Sequence, residues 1–379
     1  MNEKEIAEIR RRFRPDKNNI SHICGCYVNE KREIVSQFNQ SLPLMPQDEA
    51  EKLLAILKRT LSGTLEKNLI DITFDTKQVV DSEEHRLLMA LKKSSLKDEA
   101  AVQTLFQRII ETLALDGNYL VLLAHDTYDV PYRSKDGERQ DDASSEVFSY
   151  ILCSICPIKT TKPALSFHLY DNTFHNCKED WLVGAPELGF MFPAFDDRSS
   201  NIYNALYYSR DTAENHKEFV DVVFHTEIPM PAAAQKETFQ AMLEDTLAED
   251  CSYEVVQAVH DQLCEMIVQH KTNKEPEPLV ISKSTVKNVL ESCGVSQTKV
   301  QAFDEKYDAE FGEKTDLSPR NIVDAKQFEV RTPDVTIHVN PERSGLIETR
   351  MINGAKYILI RVDEGVEVNG VNIHITDDK

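Results

Sequence analysis

The chain has 379 residues, 41% hydrophobic and 28% charged, a globular composition with length for two or three cooperative units, which excludes a fibrous or wholly disordered protein. A formal net charge of -21 opposes unspecific attraction to phosphate backbones or anionic lipid, so any nucleic-acid contact has to be local. No apolar run approaches the ~20 residues that span a bilayer, and the N-terminal MNEKEIAEIRRRFRPDK lacks the apolar centre of a signal peptide, so the expectation is a cytoplasmic protein with no membrane partner.

In chain order, Ile6, Ile9 and Phe13 at helical spacing predict a short amphipathic helix that stops before Pro15. ISHICGCYVN and EIVSQFNQ predict a hairpin in which His22, Cys24 and Cys26 share one face. Pro46 opens a helix with Leu53, Leu54, Ile56, Leu57 and Leu61, and Gly63 closes it. LIDITF predicts a strand, Ser82 caps a helix through Leu87, Leu88 and Leu91, and Val102 to Leu113 keep the cleanest helical periodicity in the chain.

The strongest strand signals follow. GNYLVLLAHD and VFSYILCSICP, joined by the polar RSKDGERQDDASS with its Asp-Gly pair, predict a central antiparallel hairpin. ALSFHLY continues strand-like, and the aromatic segment from Trp181 to Asp211 reads as further sheet edge and loop. Residues 214–224 predict a helix, and two more helices follow between Ala232 and His270. KTNKEPEP, residues 271–278, has the composition of an exposed linker. Helices over Lys283–Ser292 and Gln297–Phe311 are joined by Cys293-Gly294-Val295-Ser296, and from Phe328 onward the pattern is β, with Asn353-Gly354 as a two-residue turn. The expected fold is α+β: an antiparallel sheet with flanking helices over 1–230, a helical region over 231–325, and a small β unit over 326–379.

Eight cysteines lie scattered within apolar runs, a usage that suits a reducing compartment. The set His22, Cys24, Cys26, Cys153 and Cys156 could supply thiolates and an imidazole to a tetrahedral zinc ion if its two strands adjoined. A Cys-x-x-Cys pair on a strand splits across the sheet, so the favoured reading is buried free thiol and no bound metal. His125, Asp126 and Asp129, with His168, Asp171 and His175, are polar groups where strands emerge, without a diagnostic spacing. Phosphate-binding glycine loops, HExxH, GxSxG and EF-hand loops are absent from the sequence, so neither a cofactor nor a catalytic residue is expected.

Arg10, Arg11, Arg12, Arg14 and Lys17 form the densest positive patch and the one candidate nucleic-acid contact. The helix pair joined at Gly294 has helix-turn-helix length, but Asp304, Glu305, Asp308 and Glu310 on its second helix would repel DNA.

EIRRRFRPDK, HICGCYVN, YDVPYRSKDGE, AFDDRSSNIYNALYYSRDTAENH and GVEVNGVNIHI together resemble the bacterial family of domain of unknown function 4317, across essentially the whole chain. That resemblance implies no activity. The order of elements from Asp81 to Val362 also resembles the layout of the nucleoid-associated family NdpA or YejK. It implies an intracellular, non-enzymatic binding protein that joins the nucleoid through DNA or DNA-bound proteins, and the acidic charge favours the protein-mediated route. Two alternatives stand beside it: a metal or thiol enzyme built on His22, Cys24, Cys26, Cys153 and Cys156, and a self-associating homo-oligomer using the open edge of the β tail.

Overall fold

In the first of two compact units, Met1–Ala232, the chain forms α1 (Glu3–Arg10), β1 (His22–Val28), β2 (Ile34–Ser41), α2 (Gln47–Arg59), β3 (Leu69–Thr73), α3 (Thr76–Asp81), α4 (Glu83–Lys93) and α5 (Glu99–Thr112). The strands β4 (Tyr119–Arg133), β5 (Arg139–Thr160), β6 (Ala164–His168), β7 (Thr173–Cys177), β8 (Trp181–Val183), β9 (Leu188–Phe192), β10 (Ala194–Asp196), β11 (Ser199–Asn201) and β12 (Asn204–Ser209) follow, and α6 (Lys217–Phe224) closes the unit. The structure, a computed structural model, describes residues 1–113, 115–133, 139–273, 279–313, 315–362 and 365–374, apart from the side chains of 132–133, 139–146 and 177. The Asp136-Gly137 turn expected between the central strands lies outside them.

The main sheet runs β2-β1-β4-β5-β9-β12-β3, with β8 added to the far end of β5. Every pairing along it is antiparallel. The fold is α+β, and the two strongest apolar runs pair from Tyr119↔Pro157 onward at the sheet's centre.

Both faces of this sheet are covered. Helices α4, α5 and α6 set Leu88, Leu105, Phe106, Ile109 and Phe224 against Val121, Leu123, Ile151 and Phe190 on one face. On the other, α1 and α2 set Ile6, Ile9, Leu54 and Leu57 against Leu122, Leu152, Met191 and Leu206. Two-sided burial explains why the strand sequences are continuously apolar rather than alternating. It also corrects one expectation: LGFMF and NALYYS form the interior strands β9 and β12, and all five β9 residues are buried. At Gly189 on β9 an added Cβ would meet the Cys153 carbonyl and lie 2.6 Å from the Thr60 methyl, so glycine lets the end of α2 approach the sheet.

The expected Ser82 cap is present, and a second cap at Asp98 joins it. Ser82 Oγ accepts from the His85 amide at 3.0 Å, and α5 opens on an Asp98 side chain that accepts from Ala101 N at 3.1 Å.

The second unit, Ala233–Lys379, contains nearly all of α7 (Ala232–Leu247), then α8 (Tyr253–Asn273), α9 (Lys283–Ser292), α10 (Gln297–Phe311) and the short α11 (Pro319–Ile322). Phe239, Leu263, Leu290, Val300, Phe303 and Tyr307 form its core. Helix α8 continues through Asn273, three residues into the expected linker, and residues 274–278 lie outside those described. Gly294 takes φ +80° between α9 and α10, the left-handed position that suits glycine after a helix end. Lys283 and Lys287 of α9 pair with Asp304 of α10 at 3.4 and 3.2 Å, so part of the acidic face is engaged within the helix pair. The unit ends in three separate two-stranded sheets: β13 (Phe328–Arg331) with β14 (Thr336–Val339), β15 (Ile347–Ile352) with β16 (Ala355–Ile360), and β17 (Val366–Val368) with β18 (Val371–Ile373). Among the described residues no helix is long and apolar enough to cross a membrane.

Candidate functional site

The cysteine and histidine set is distributed by strand register. Cys24 and Cys153 both lie opposite Leu123, and Cys26 lies opposite Val121, so these thiols share one face with β4 between the two strands that carry them. Two strand spacings separate Cys24 from Cys153, about 9–10 Å. Cys156 belongs to the core on the opposite face, and His22 is exposed at the start of β1. Burial pushes the Cys24 thiol up to about 11 and the Cys26 and Cys156 thiols up to about 12, and drives Cys153 further in the same direction. Thiols so held are protonated at neutral pH and are poor nucleophiles. Alkylation with iodoacetamide at pH 8, read peptide by peptide, is expected to label the half-exposed Cys251 and Cys293 in the folded chain, and these four only after unfolding. Fast labelling of Cys26 or Cys153 would contradict their enclosure.

The basic cluster divides in a different way. Arg11, Arg14 and Lys17 are exposed. Arg12 turns inward: its Nε donates to Asp126 Oδ2 at 3.0 Å and its Nη2 to the Thr127 carbonyl at 2.9 Å. Its guanidinium also lies 4.6 Å from the centre of the Tyr128 ring. Burial lowers the Arg12 pKa and the hydrogen bond and charge of Asp126 raise it, with a net rise. Arg10 is half-buried, and its Nε has no acceptor among the described residues.

Asp126 is the centre of this arrangement, with its side chain 2% exposed. Besides Arg12 it accepts from Tyr150 Oη at 2.9 Å and from the Asn19 amide at 2.7 Å. Next to it, Glu8 accepts from Tyr128 Oη at 2.7 Å and from Arg198 Nη1 at 2.5 and 2.6 Å. Arg198 Nη2 reaches the Pro131 carbonyl at 2.9 Å. Asp197 and Arg198 hold φ of 48° and 60° in the β10–β11 turn, an uncommon backbone for these residue types that aims Arg198 at Glu8. The network therefore ties α1 and its following segment to the outer half of the β4–β5 ribbon.

On the other face of that ribbon, His125 Nε2 lies 2.9 Å from Ser149 Oγ. Burial, helped by Lys92 and Lys97 and opposed by Asp126, holds His125 below its ordinary value of 6.5. A depressed folded pKa means that the unfolded chain binds more protons over that window. The associated stability is present above pH 6.5 and is lost as pH falls through the folded value. Urea midpoints are expected to decline below pH 6.5, with a shallower decline in His125→Gln, and equal slopes would contradict this. Of the remaining polar groups of the sequence cluster, Asp129 is exposed on β4, and the others lie on the β6–β7 hairpin, where His175 meets Asp171 at 2.9 Å and its ring stands 4.4 Å from that of His168.

The hairpins form a third candidate surface. On β6–β7 the period of two puts Leu165, Phe167 and Phe174 on one face, with Phe167 opposite Phe174 and their rings 5.1 Å apart. Leu165 is 70% and Phe174 67% exposed, and Leu169 and Tyr170 at the turn are more so. Trp181 of the adjoining β8 stacks on Tyr27 at 5.2 Å yet remains largely exposed. In the second unit, β15–β16 exposes Met351, Ile352, Tyr357 and Ile360. A two-stranded hairpin is at best marginal in water by itself, and apolar patches of this kind mark contact surfaces.

No curated protein matches the sequence. The family model described as Domain of unknown function (DUF4317) matches residues 1–371, which takes in the first unit and all but the last residues of the second. The chain belongs to that family.

Proposed function

We propose that the protein is a non-enzymatic binding protein of the bacterial cytoplasm that works by holding protein partners on its apolar hairpins. One observation carries this reading: Leu165, Phe167 and Phe174 stand together on an exposed hairpin face, whereas the central strands of the main sheet bury their apolar side chains on both faces. The protonated thiols and the inward-turned Arg12 support contact rather than chemistry or phosphate neutralisation. The resemblance of its element order to that of the nucleoid-associated NdpA or YejK family directs the search for partners to DNA-bound proteins, and the net charge of -21 favours contact through those proteins.

The test is capture from the native host with and without nuclease, comparing the wild-type chain with the triple variant Leu165→Ser, Phe167→Ser, Phe174→Ser. Nuclease-resistant protein partners, reduced at least about tenfold by the variant, are expected because a few apolar anchors dominate such contacts. Equal capture by both chains would remove the hairpin from the account. Partners lost on nuclease treatment would transfer the contact to DNA and to Arg11, Arg14 and Lys17.

A further inference from the structure

We propose that the groove between the outer edge of β2 and helix α5 binds an extended peptide strand carrying a basic residue. Strand β2 ends the sheet, and among the described residues it pairs with β1 alone. Alternate main-chain N–H and C=O groups along its outer side are therefore open to another strand. Such edges are ordinarily blunted by charge or proline, and the β2 sequence IVSQFNQS contains neither.

What lies beside the edge makes it a site. An opening of about 560 Å³ separates β2 from α5, with Cys24, Leu96, Val102 and Phe106 as an apolar floor and Gln37, Asn39, Glu99 and Gln103 at its polar rim. That volume is within the ~300–1,000 Å³ of ordinary ligand pockets. A strand added to β2 would turn alternate side chains toward this floor, so small or β-branched residues at every second position fit. Gln37 Nε2 donates to Gln103 Oε1 at 2.9 Å across the groove. Both amides keep donors and acceptors that an incoming peptide bond can satisfy in exchange. Among the described residues Glu99 is the one charged residue in the lining, with no lining cation to balance it. This carboxylate selects a lysine or arginine in the bound strand. The groove shares no residue with the apolar hairpins, so it stands independently of the contacts assigned to them.

The experiment pans a phage-displayed library of random octapeptides on the immobilised full chain, then measures selected peptides by fluorescence anisotropy and amide hydrogen exchange. Enrichment of Val, Ile or Thr at alternate positions with one Lys or Arg is expected, with new protection at 34–41. Ala100→Trp, which fills the rim from an exposed position on α5, should weaken binding at least about tenfold. Glu99→Lys should weaken basic peptides about five- to tenfold and turn the preference toward acidic ones. Circular dichroism establishes that both variants fold. No enriched sequence, affinities unmoved by either substitution, or protection away from β2 would overturn the proposal.

Discussion

Asp126→Ala is expected to cost the first unit about 3–5 kcal/mol, the usual penalty for removing one partner of a buried ion pair and leaving the other charge uncompensated. The side chains of Arg12 and Asp126 are 12% and 2% exposed, so solvent cannot replace the lost contact. The same substitution strands Tyr150 Oη and the Asn19 amide, each of which donates to this carboxylate. Urea unfolding followed by the fluorescence of Trp181, the chain's single tryptophan, isolates the first unit. Arg12→Ala should fall in the same range, and the pair Arg12→Met with Asp126→Leu should recover much of the loss, because no unpaired charge then remains. A loss below about 1 kcal/mol for Asp126→Ala is the size of a surface pair and would mean that the site is hydrated.

Phe190→Ala should produce a loss of similar size, about 3–5 kcal/mol, for an apolar reason. Phe190 is fully buried on β9, with its ring 5.1 Å from Phe224 and 6.5 Å from Phe219 of α6. Truncation removes one of the side chains that join α6 to the sheet and leaves a cavity between rigid neighbours that can only partly collapse. Phe190→Leu, which keeps most of the volume, should recover more than half of the loss. The same tryptophan-monitored titration checks both. An effect no larger than that of an exposed residue would place Phe190 outside the core.

Much of the architecture was legible because the local and global signals agree. Helical periodicity from Val102 to Ile110 describes the buried face of α5, and parity on β1 separates Cys24 and Cys26 from Ile23. The split of Cys153 and Cys156 between faces follows from the same period of two. LGFMF was placed at the edge because it is short and its turn-rich surroundings resemble loop. Only the pairing of β9 with both β5 and β12 reveals it as interior. Arg12 illustrates a different limit. Within RRRFR its neighbours make it look like a solvated cation, while its partner Asp126 lies 114 positions away. Distant pairing of that kind depends on the completed β4–β5 ribbon and has no local signature. The exposure of Leu165, Phe167 and Phe174 was hidden for a related reason: an alternating strand gives the apolar face, but tertiary packing decides whether a helix covers it.

The central claim is that apolar hairpin faces are where this protein meets other proteins. Its most direct test is photo-crosslinking in living cells of the native host, with benzoylphenylalanine placed singly at Phe167, at Tyr357 and, as a control, at the exposed Lys52 of α2. Discrete crosslinked species from Phe167 or Tyr357, absent from the Lys52 control, are the predicted result. Their masses distinguish a second copy of the chain from a different partner. Crosslinking that is absent at both hairpins, or identical at all three positions, would contradict the account.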